Sequence, residues 1–267
     1  MESVNVNLDV CRVLSSQHGL PLQFVIKEFH LLDVAQQIAM AVTPEKKIVF
    51  KGGTALNKVY LKQNQRFSED LDFDYDTDSM EDVRRYCKEL ASKIHGYEIN
   101  EFRRVKDTVQ FYCVFDTPLG TKDHVRVDIA AKRIVTSEPV ETRPIASEFT
   151  QQSATGIQVY ALEDLVARKL HALRTRTEGK DVFDAYHALP LCESLDKALR
   201  CMLESEDDKE TPREFIEKTC GQLKKMDAKK LTRLTNPFIP TPYRPKDWIQ
   251  LRDTLALMLE QRAEEMG

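Results

Sequence analysis

The sequence predicts an α+β fold, a mixed sheet with flanking helices followed by a helical C-terminal region. Two observations predict it. Up to about residue 155, apolar runs of strand length at 48–50, 70–74, 109–115 and 125–130 are interleaved with stretches of helical spacing. Beyond residue 155 the apolar positions recur three and four apart, and no convincing strand stands among them. The chain therefore reads as an α/β domain over 1–155 and a helical domain over 156–267.

The first forty residues read as helical. After Pro21, the positions Phe24, Val25, Ile26, Leu31, Leu32, Val34, Ala35 and Ile38 give a broad apolar helical face, and Pro44 closes the stretch. Ile48, Val49 and Phe50 make a short buried strand that ends at the turn Lys51-Gly52-Gly53. Helical spacing resumes from Thr54 to Leu61 through Leu56, Val59 and Tyr60. The next strand, 70–74, alternates Leu71 and Phe73 with aspartates. Residues 81–95 carry Val83, Tyr86, Leu90 and Ile94 at helical intervals. Strands at 109–115 and 125–130 flank the turn Thr117-Pro118-Leu119-Gly120. Helices are expected at 161–176, 180–189, 194–204 and 212–225. The charged run ESEDDKE at 204–210 reads as a solvated connector, and the proline-rich 237–245 as an extended linker. A last amphipathic helix carries Trp248, Leu251, Leu255, Met258 and Leu259. No internal repeat is visible.

Composition excludes several classes. Hydrophobic residues at 42% and charged residues at 31% are those of an ordinary globular protein. No uncharged apolar run approaches the ~20 residues needed to span a bilayer. The start, MESVNVNLDV, lacks the basic and apolar regions of a secretory signal. A net charge of −4 does not mark the whole chain as a nucleic-acid binder, but its 39 Lys and Arg are unevenly placed and leave room for a locally basic groove. The cysteines, Cys11, Cys87, Cys113, Cys192, Cys201 and Cys220, show neither CxxC nor short Cys/His spacing. They read as reduced thiols of a cytoplasmic protein.

Chemistry concentrates in residues 51–74, KGGTALNKVYLKQNQRFSEDLDFD. On a strand, Asp70 and Asp72 project from one side while Leu71 and Phe73 enter the core. Two neighbouring carboxylates repel, and a divalent cation resolves the repulsion. Mg²⁺ takes one or two protein carboxylates plus phosphate oxygens, leaving room for a nucleoside triphosphate. Just upstream, Gly52, Gly53 and Thr54 lie between a strand and a helix, where glycine permits close backbone approach to phosphate and a helix start offers N–H donors. Thr54 adds a hydroxyl. Either half is a weak signal; the two in one strand–loop–helix–strand unit point to a phosphate-and-metal site. Asp74, Asp76 and Asp78 continue the alternation into a loop and read as solvated. Asp128, on the apolar strand Val125-Arg126-Val127-Asp128-Ile129, is either a third metal ligand or the salt-bridge partner of Arg126 or Lys132.

In the helix at 161–176, Leu162, Leu165, Val166, Leu170 and Leu173 define an apolar arc that contains Lys169, with Arg176 on the same side. A lysine aimed at a core requires an anion, a triphosphate for instance, unless it snorkels at a domain interface. Asp181 and Asp184 share one face of the following helix. They either complement its dipole or contact a ribose, a base or an acceptor hydroxyl. His171 and His187 have no partner at metal spacing. No GxSxG, Walker A or GxGxxG motif is present.

Lys51-Gly-Gly-Thr-Ala-Leu56 followed by Arg66-Phe-Ser-Glu-Asp-Leu-Asp-Phe73 resembles the signature of the AbiEii/AbiGii toxin family of nucleotidyltransferase-like proteins, the toxin halves of bacterial and archaeal type IV toxin–antitoxin and abortive-infection systems. The helix at 163–169 and Lys180-Asp-Val-Phe-Asp184 match its distal motifs, although the family commonly has Arg at the position of Lys180. The resemblance extends over residues 48–190. In the broader polymerase-β-like superfamily the interval from glycines to carboxylates is usually shorter than the fifteen residues between Thr54 and Asp70; in this toxin family it is similar. The resemblance implies a polymerase-β-like nucleotidyltransferase fold. It implies metal binding by Asp70 and Asp72, nucleotide phosphate contact by Gly53, Thr54 and Ser68, phosphate contact by Lys169, and an essential acid at Asp181. Asp128 corresponds to a third, less uniform acidic position.

The expected reaction moves a nucleoside monophosphate from an NTP to an acceptor hydroxyl with Mg²⁺ or Mn²⁺ as cofactor, the helical domain contributing Lys169 and Asp181 to the cleft. The resemblance suggests GTP or another NTP as donor, tRNA or other RNA as acceptor, and an antitoxin encoded alongside that need not form a complex with it. Arg103, Arg104, Lys106, Lys132, Arg133, Arg174 and Arg176 are candidates to hold a phosphate backbone. A non-catalytic NTP- or partner-binding module on the same fold, an aminoglycoside-like small-molecule nucleotidyltransferase, and an enzyme that modifies the antitoxin itself are the alternatives.

Overall fold

A computed structural model describes residues 4–43, 48–176 and 178–266. The expected helix stop at Pro44 lies outside them. The chain divides into two compact units, Met1–Ile134 with Glu141–Val159, and Val135–Val140 with Tyr160–Gly267.

The first unit begins with α1 (Leu8–His18), whose first amides are capped by the Asn7 side chain. Gly19, at φ +61, closes it in the left-handed conformation that glycine adopts without Cβ strain. α2 (Leu22–Ala41) starts directly after Pro21. The single helical stretch expected here is therefore two helices, divided by Gly19.

The sheet has seven strands in the order β3-β4-β5-β2-β1-β7-β6. They are β1 (Ile48–Lys51), β2 (Asp70–Tyr75), β3 (Glu98–Val105), β4 (Thr108–Asp116), β5 (Lys122–Ala131), β6 (Glu141–Ser147) and β7 (Gln152–Val159). β2 pairs parallel with β5, and β1 parallel with β7; the other neighbours are antiparallel, so the sheet is mixed as expected. Phe50, Leu71, Phe73, Phe111, Val127 and Ile129 are fully buried on one face. α2 and α4 (Met80–Ala91) pack there: His30 stacks on Phe115 at 3.6 Å between ring centres, and Tyr86 on Tyr75 at 4.9 Å.

Three strands escape the sequence pattern. β3 is a mostly exposed edge whose alternation is broken by an irregularity between Asn100 and Arg103, with Glu101 at φ +52. β6 carries Pro144 where its register shifts. β7 is built from small and polar residues and is held between β1 and β6 by pairing instead of by an apolar run.

Two charged positions also depart from expectation. Asp74 is not in a solvated loop. It lies on β2, 1% exposed, and pairs with Lys51. Asp76 accepts the Ile134 amide at 3.2 Å. A pair with no sequence forewarning, Lys58 and Glu28, is completely buried between α2 and the turn after β1.

The second unit is helical: α5 (Leu162–Thr175), α6 (Gly179–Ala188), α7 (Asp196–Ser205), α8 (Pro212–Leu223), α9 (Ala228–Thr235) and α10 (Trp248–Glu265). α9 was not anticipated; it buries only Leu231 and Thr235, too few positions for a periodic signal. The expected linker at 237–245 contains two tight turns, Asn236–Phe238 and Thr241–Tyr243. In the expected solvated connector Glu204, Glu206, Asp207 and Lys209 are exposed, while Asp208 and Glu210 both hold Arg174 of α5. The segment Val135–Val140 is tied into this unit by the fully buried Asp164, which accepts the Ser137 amide with both oxygens at 3.0 and 3.1 Å. No helix among the described residues is long and apolar enough to cross a membrane.

Candidate active site

Strand register gathers the carboxylates. Asp72 of β2 stands opposite Asp128 of β5 on one side and Lys51 of β1 on the other, and Asp128 in turn stands opposite Gln110 of β4. Residues in register on neighbouring strands share a face at about 5 Å. Gln110, Asp128, Asp72 and Lys51 therefore form a polar row on the face opposite Phe50 and Phe73. Asp70 belongs to the next row, paired with Arg126.

The charges in these rows are unequal. Asp70 is pushed up to about 6, first by burial and then by Asp72, Asp128 and Glu69, with Arg126 opposing. Asp128 also rises to about 6, from burial and the repulsion of Asp72, against Arg126, Gln110 and Lys51. Arg126 donates to Asp70 Oδ2 at 2.5 Å, and its Nε lies 3.4 Å from Asp128 Oδ1. The latter approach is no hydrogen bond, and that buried oxygen has no hydrogen-bond partner. Gln110 Nε2 donates to the other oxygen at 3.1 Å. Of the two sequence alternatives for Asp128, the Arg126 ion pair is formed, through the oxygen that accepts no hydrogen bond.

The glycine loop is built against this row. Gly52 has φ +79, and a Cβ there would collide with the Asp72 carboxylate. Only glycine lets β1 turn into helix at this point while the Asp72 carboxylate lies alongside. The helix that follows runs as α3 (Gly52–Ala55) and widens to a π-helical turn over Leu56–Leu61. Asn57 spans the loop: it donates to the Gly53 carbonyl at 2.9 Å and accepts the Arg66 amide at 2.9 Å. Arg66 then donates to the Ser68 hydroxyl at 3.1 Å, and the Thr54 hydroxyl donates to the Asp70 carbonyl at 2.5 Å. Thr54 and Ser68 are buried. The Thr54 hydroxyl thus ties the loop to β2, and the Ser68 hydroxyl is held by Arg66. Asn57 and Gln110 were missed by sequence reading; the polar residue inside an apolar helix turn, and the polar residue opposite Asp128, were the available signals.

In the second unit Lys169 is 5% exposed and binds Asp181 Oδ1 and Asp184 Oδ2, each at 3.0 Å. Arg176 donates to both oxygens of Asp181 at 2.9 and 3.2 Å. Burial alone would raise the Asp181 carboxyl, but Lys169 and Arg176 outweigh it and hold it below its ordinary value. The anion that the apolar arc of α5 required is thus supplied by α6, and Asp181 and Asp184 face Lys169 instead of merely complementing a dipole. His171 and His187 pack on Phe215 and Phe183. Arg103 and Arg104 lie on the exposed β3, with Lys106 just beyond it; Lys132 and Arg133 follow β5.

No curated protein sequence matches the chain. Among solved structures, MenT4, a nucleotidyltransferase toxin from Mycobacterium tuberculosis H37Rv, is similar in fold at 18% identity and a TM-score of 0.60, over 98% of this chain and 91% of that one. An antigenic nucleotidyltransferase-like protein from Paracoccidioides brasiliensis overlaps 66% of this chain and 89% of its own at 13% identity and a TM-score of 0.43. Residues 36–260 match the family described as nucleotidyl transferase AbiEii toxin, type IV toxin–antitoxin system. The chain belongs to the AbiEii family of nucleotidyltransferase toxins.

Proposed function

We propose that the chain transfers a nucleoside monophosphate from an NTP, GTP among the candidates, to an acceptor hydroxyl on RNA such as tRNA, at the carboxylate rows of the sheet and with a divalent cation. The observation that carries the reading is the row itself: Asp70, Asp72 and Asp128 crowd on adjacent strands beside the glycine turn, with two of them raised to about 6. Anions held in that condition favour a cation.

Among the described residues no three His, Cys, Asp or Glu side chains converge as a ready metal cage. The donor set fits Mg²⁺ or Mn²⁺ nonetheless, because such an ion takes one or two carboxylates and fills its remaining positions with phosphate or water oxygens. Asp70 and Asp72 would hold it, and the Asp128 oxygen that accepts no hydrogen bond is the natural third donor. When bound, the ion supplies Lewis-acid activation of the acceptor and neutralises phosphate charge. Gly52 and Gly53 keep the loop bare so that phosphate can approach its backbone. Thr54 ties that loop to β2 and Asn57 ties it to the backbone at Arg66, which fixes the direction of its amides. Lys169 and Asp181 are proposed as further catalytic residues on the strength of the family motif.

Purified protein incubated with Mg²⁺, each labelled NTP and total RNA tests the reading. Label is expected in RNA with wild type and none with Asp70→Ala, Asp72→Ala. Equal labelling by the double variant rejects the site. NTP binding without turnover on any acceptor favours a binding module, and label on the antitoxin or on an aminoglycoside reassigns the acceptor. An antitoxin encoded alongside, acting without an obligatory complex, and a cytoplasmic location complete the proposal.

A further inference from the structure

The turn that follows the glycine loop holds a buried charge to which the site gives no part. Lys58 lies in the π-helical stretch Leu56–Leu61 and is fully buried together with Glu28 of α2, its ion-pair partner. The other Glu28 oxygen, buried as well, accepts no hydrogen bond. Lys58 Nζ also lies 3.4 Å from Gln65 Oε1 and 4.4 Å from the centre of the Phe149 ring. Gln65 in turn donates to the Ala146 carbonyl at 2.9 Å and accepts the Glu148 amide at 3.1 Å. Lys58 and Gln65 together therefore link α2, the π-helical turn, the segment before β2 and the β6–β7 turn. Burial, with Arg66 adding to it, outweighs Glu28 and Glu148 and holds the Lys58 ammonium below its ordinary value. A charge in that condition is a poor source of stability, and an apolar pair of similar volume would serve folding as well or better. An ion pair with a directed hydrogen bond supplies something else, a single register of the turn on α2. The turn is also held away from relaxed backbone geometry. It runs into Lys62 at φ +39, a conformation that persists only where the surroundings impose it. π-helical turns of this kind are frequent at functional sites.

We infer that Glu28 and Lys58 are positioning residues for the glycine loop, a role that rests on the phosphate contact proposed for that loop. Pinned to α2 at Lys58, the π-helical turn keeps the adjacent Asn57 on both the Gly53 carbonyl and the Arg66 amide. The amides of the loop are then fixed in direction before a phosphate arrives, and binding spends nothing on ordering them. Without the pair the turn relaxes towards ordinary α-helical winding, Asn57 moves off its two partners, and the phosphate has to order the loop as it binds.

Calorimetric titration of the full chain in Mg²⁺ with inorganic tripolyphosphate and with each of the four NTPs tests it. Glu28→Leu with Lys58→Met removes both charges together, so neither is stranded. This apolar double variant is expected to unfold in urea no earlier than wild type and to bind tripolyphosphate and NTP about tenfold more weakly. Glu28→Gln keeps an acceptor for Lys58 and is expected to stay within about threefold of wild-type affinity. Val83→Ala, a core truncation on α4, should lower stability and leave phosphate affinity unchanged. Wild-type affinity in the folded apolar double variant overturns the positioning role. So do its failure to fold and a loss as large in Glu28→Gln or Val83→Ala. A wild type that binds neither tripolyphosphate nor any NTP rejects the phosphate reading of the loop itself, and the positioning role with it.

Discussion

Arg126 and Lys169 do opposite jobs with the same charge. Arg126 donates to Asp70 from a partly open row and approaches one Asp128 oxygen without a hydrogen bond. Removing it increases the repulsion among three carboxylates, so Arg126→Gln is expected to tighten Mg²⁺ and Mn²⁺ binding. The measurement is the thermal shift against metal concentration; an unchanged or weaker midpoint rejects the carboxylate rows as the cation site. Lys169, by contrast, is sealed between Asp181 and Asp184. Lys169→Met takes a shared cation from two buried carboxylates, Asp181 keeping Arg176, and a loss of about 3–5 kcal/mol is expected in urea unfolding. Adding Asp181→Asn should recover part of that loss, because one of the two buried charges disappears. Additive losses would show that the pair is not coupled. The sequence disclosed that Lys169 needed an anion, since it sits among Leu165, Val166, Leu170 and Leu173. It could not name the partner, because Asp181 and Asp184 meet it only when α5 and α6 pack.

The strand–turn–helix from Ile48 to Leu61 is the element most determined by its own residues. Three apolar residues and Lys51 lead into a glycine, the glycine takes φ +79, and helix begins at once. Gly52→Ala places a Cβ both in the left-handed region and on the Asp72 carboxylate. A stability loss of ~1–2 kcal/mol is expected from the backbone alone. Transfer activity should fall much further than stability, because Asp72 must turn away. Near-normal kcat in a folded Gly52→Ala protein would separate this turn from catalysis. Other elements were illegible for identifiable reasons. β3 is an edge strand with an irregular register, β6 carries a proline at its shift, and β7 lacks an apolar run. Their existence depends on neighbours already in the sheet, which local periodicity does not contain. The π-helical turn is equally invisible, as its wider winding leaves no change in residue type.

Stability of the metal-free protein should reflect two opposing sets of buried groups. His30, stacked on Phe115, is lowered to about 4, chiefly by burial. A depressed histidine contributes stability that is present above 6.5 and lost as pH falls towards 4. Asp70 and Asp128 are raised to about 6, so their contribution is present below 3.8 and lost as pH rises through 6. The slopes oppose each other over the shared interval. Asp70→Asn with Asp128→Asn is expected to steepen acid destabilisation, and His30→Phe to reduce it. Urea midpoints at several pH values between about 4 and 7 in EDTA provide the check. Parallel pH profiles for all three proteins would remove these groups from the account.

The linear chain contained enough to give the α+β class, the glycine turn, the aspartate pair on one strand face and the family, because each depends on spacing within one or two elements. Packing settled the rest. Asp128 joins Asp72 through the parallel β2–β5 register across more than fifty residues of chain. Asp74 became a buried partner of Lys51, two acids of the charged connector became a clamp on Arg174, and Lys169 found its carboxylates on another helix. A charge looks the same in sequence whether it faces water or a counter-ion. The energy that separates the two fates comes from desolvation and from a partner brought near by folding, and neither exists until the elements meet.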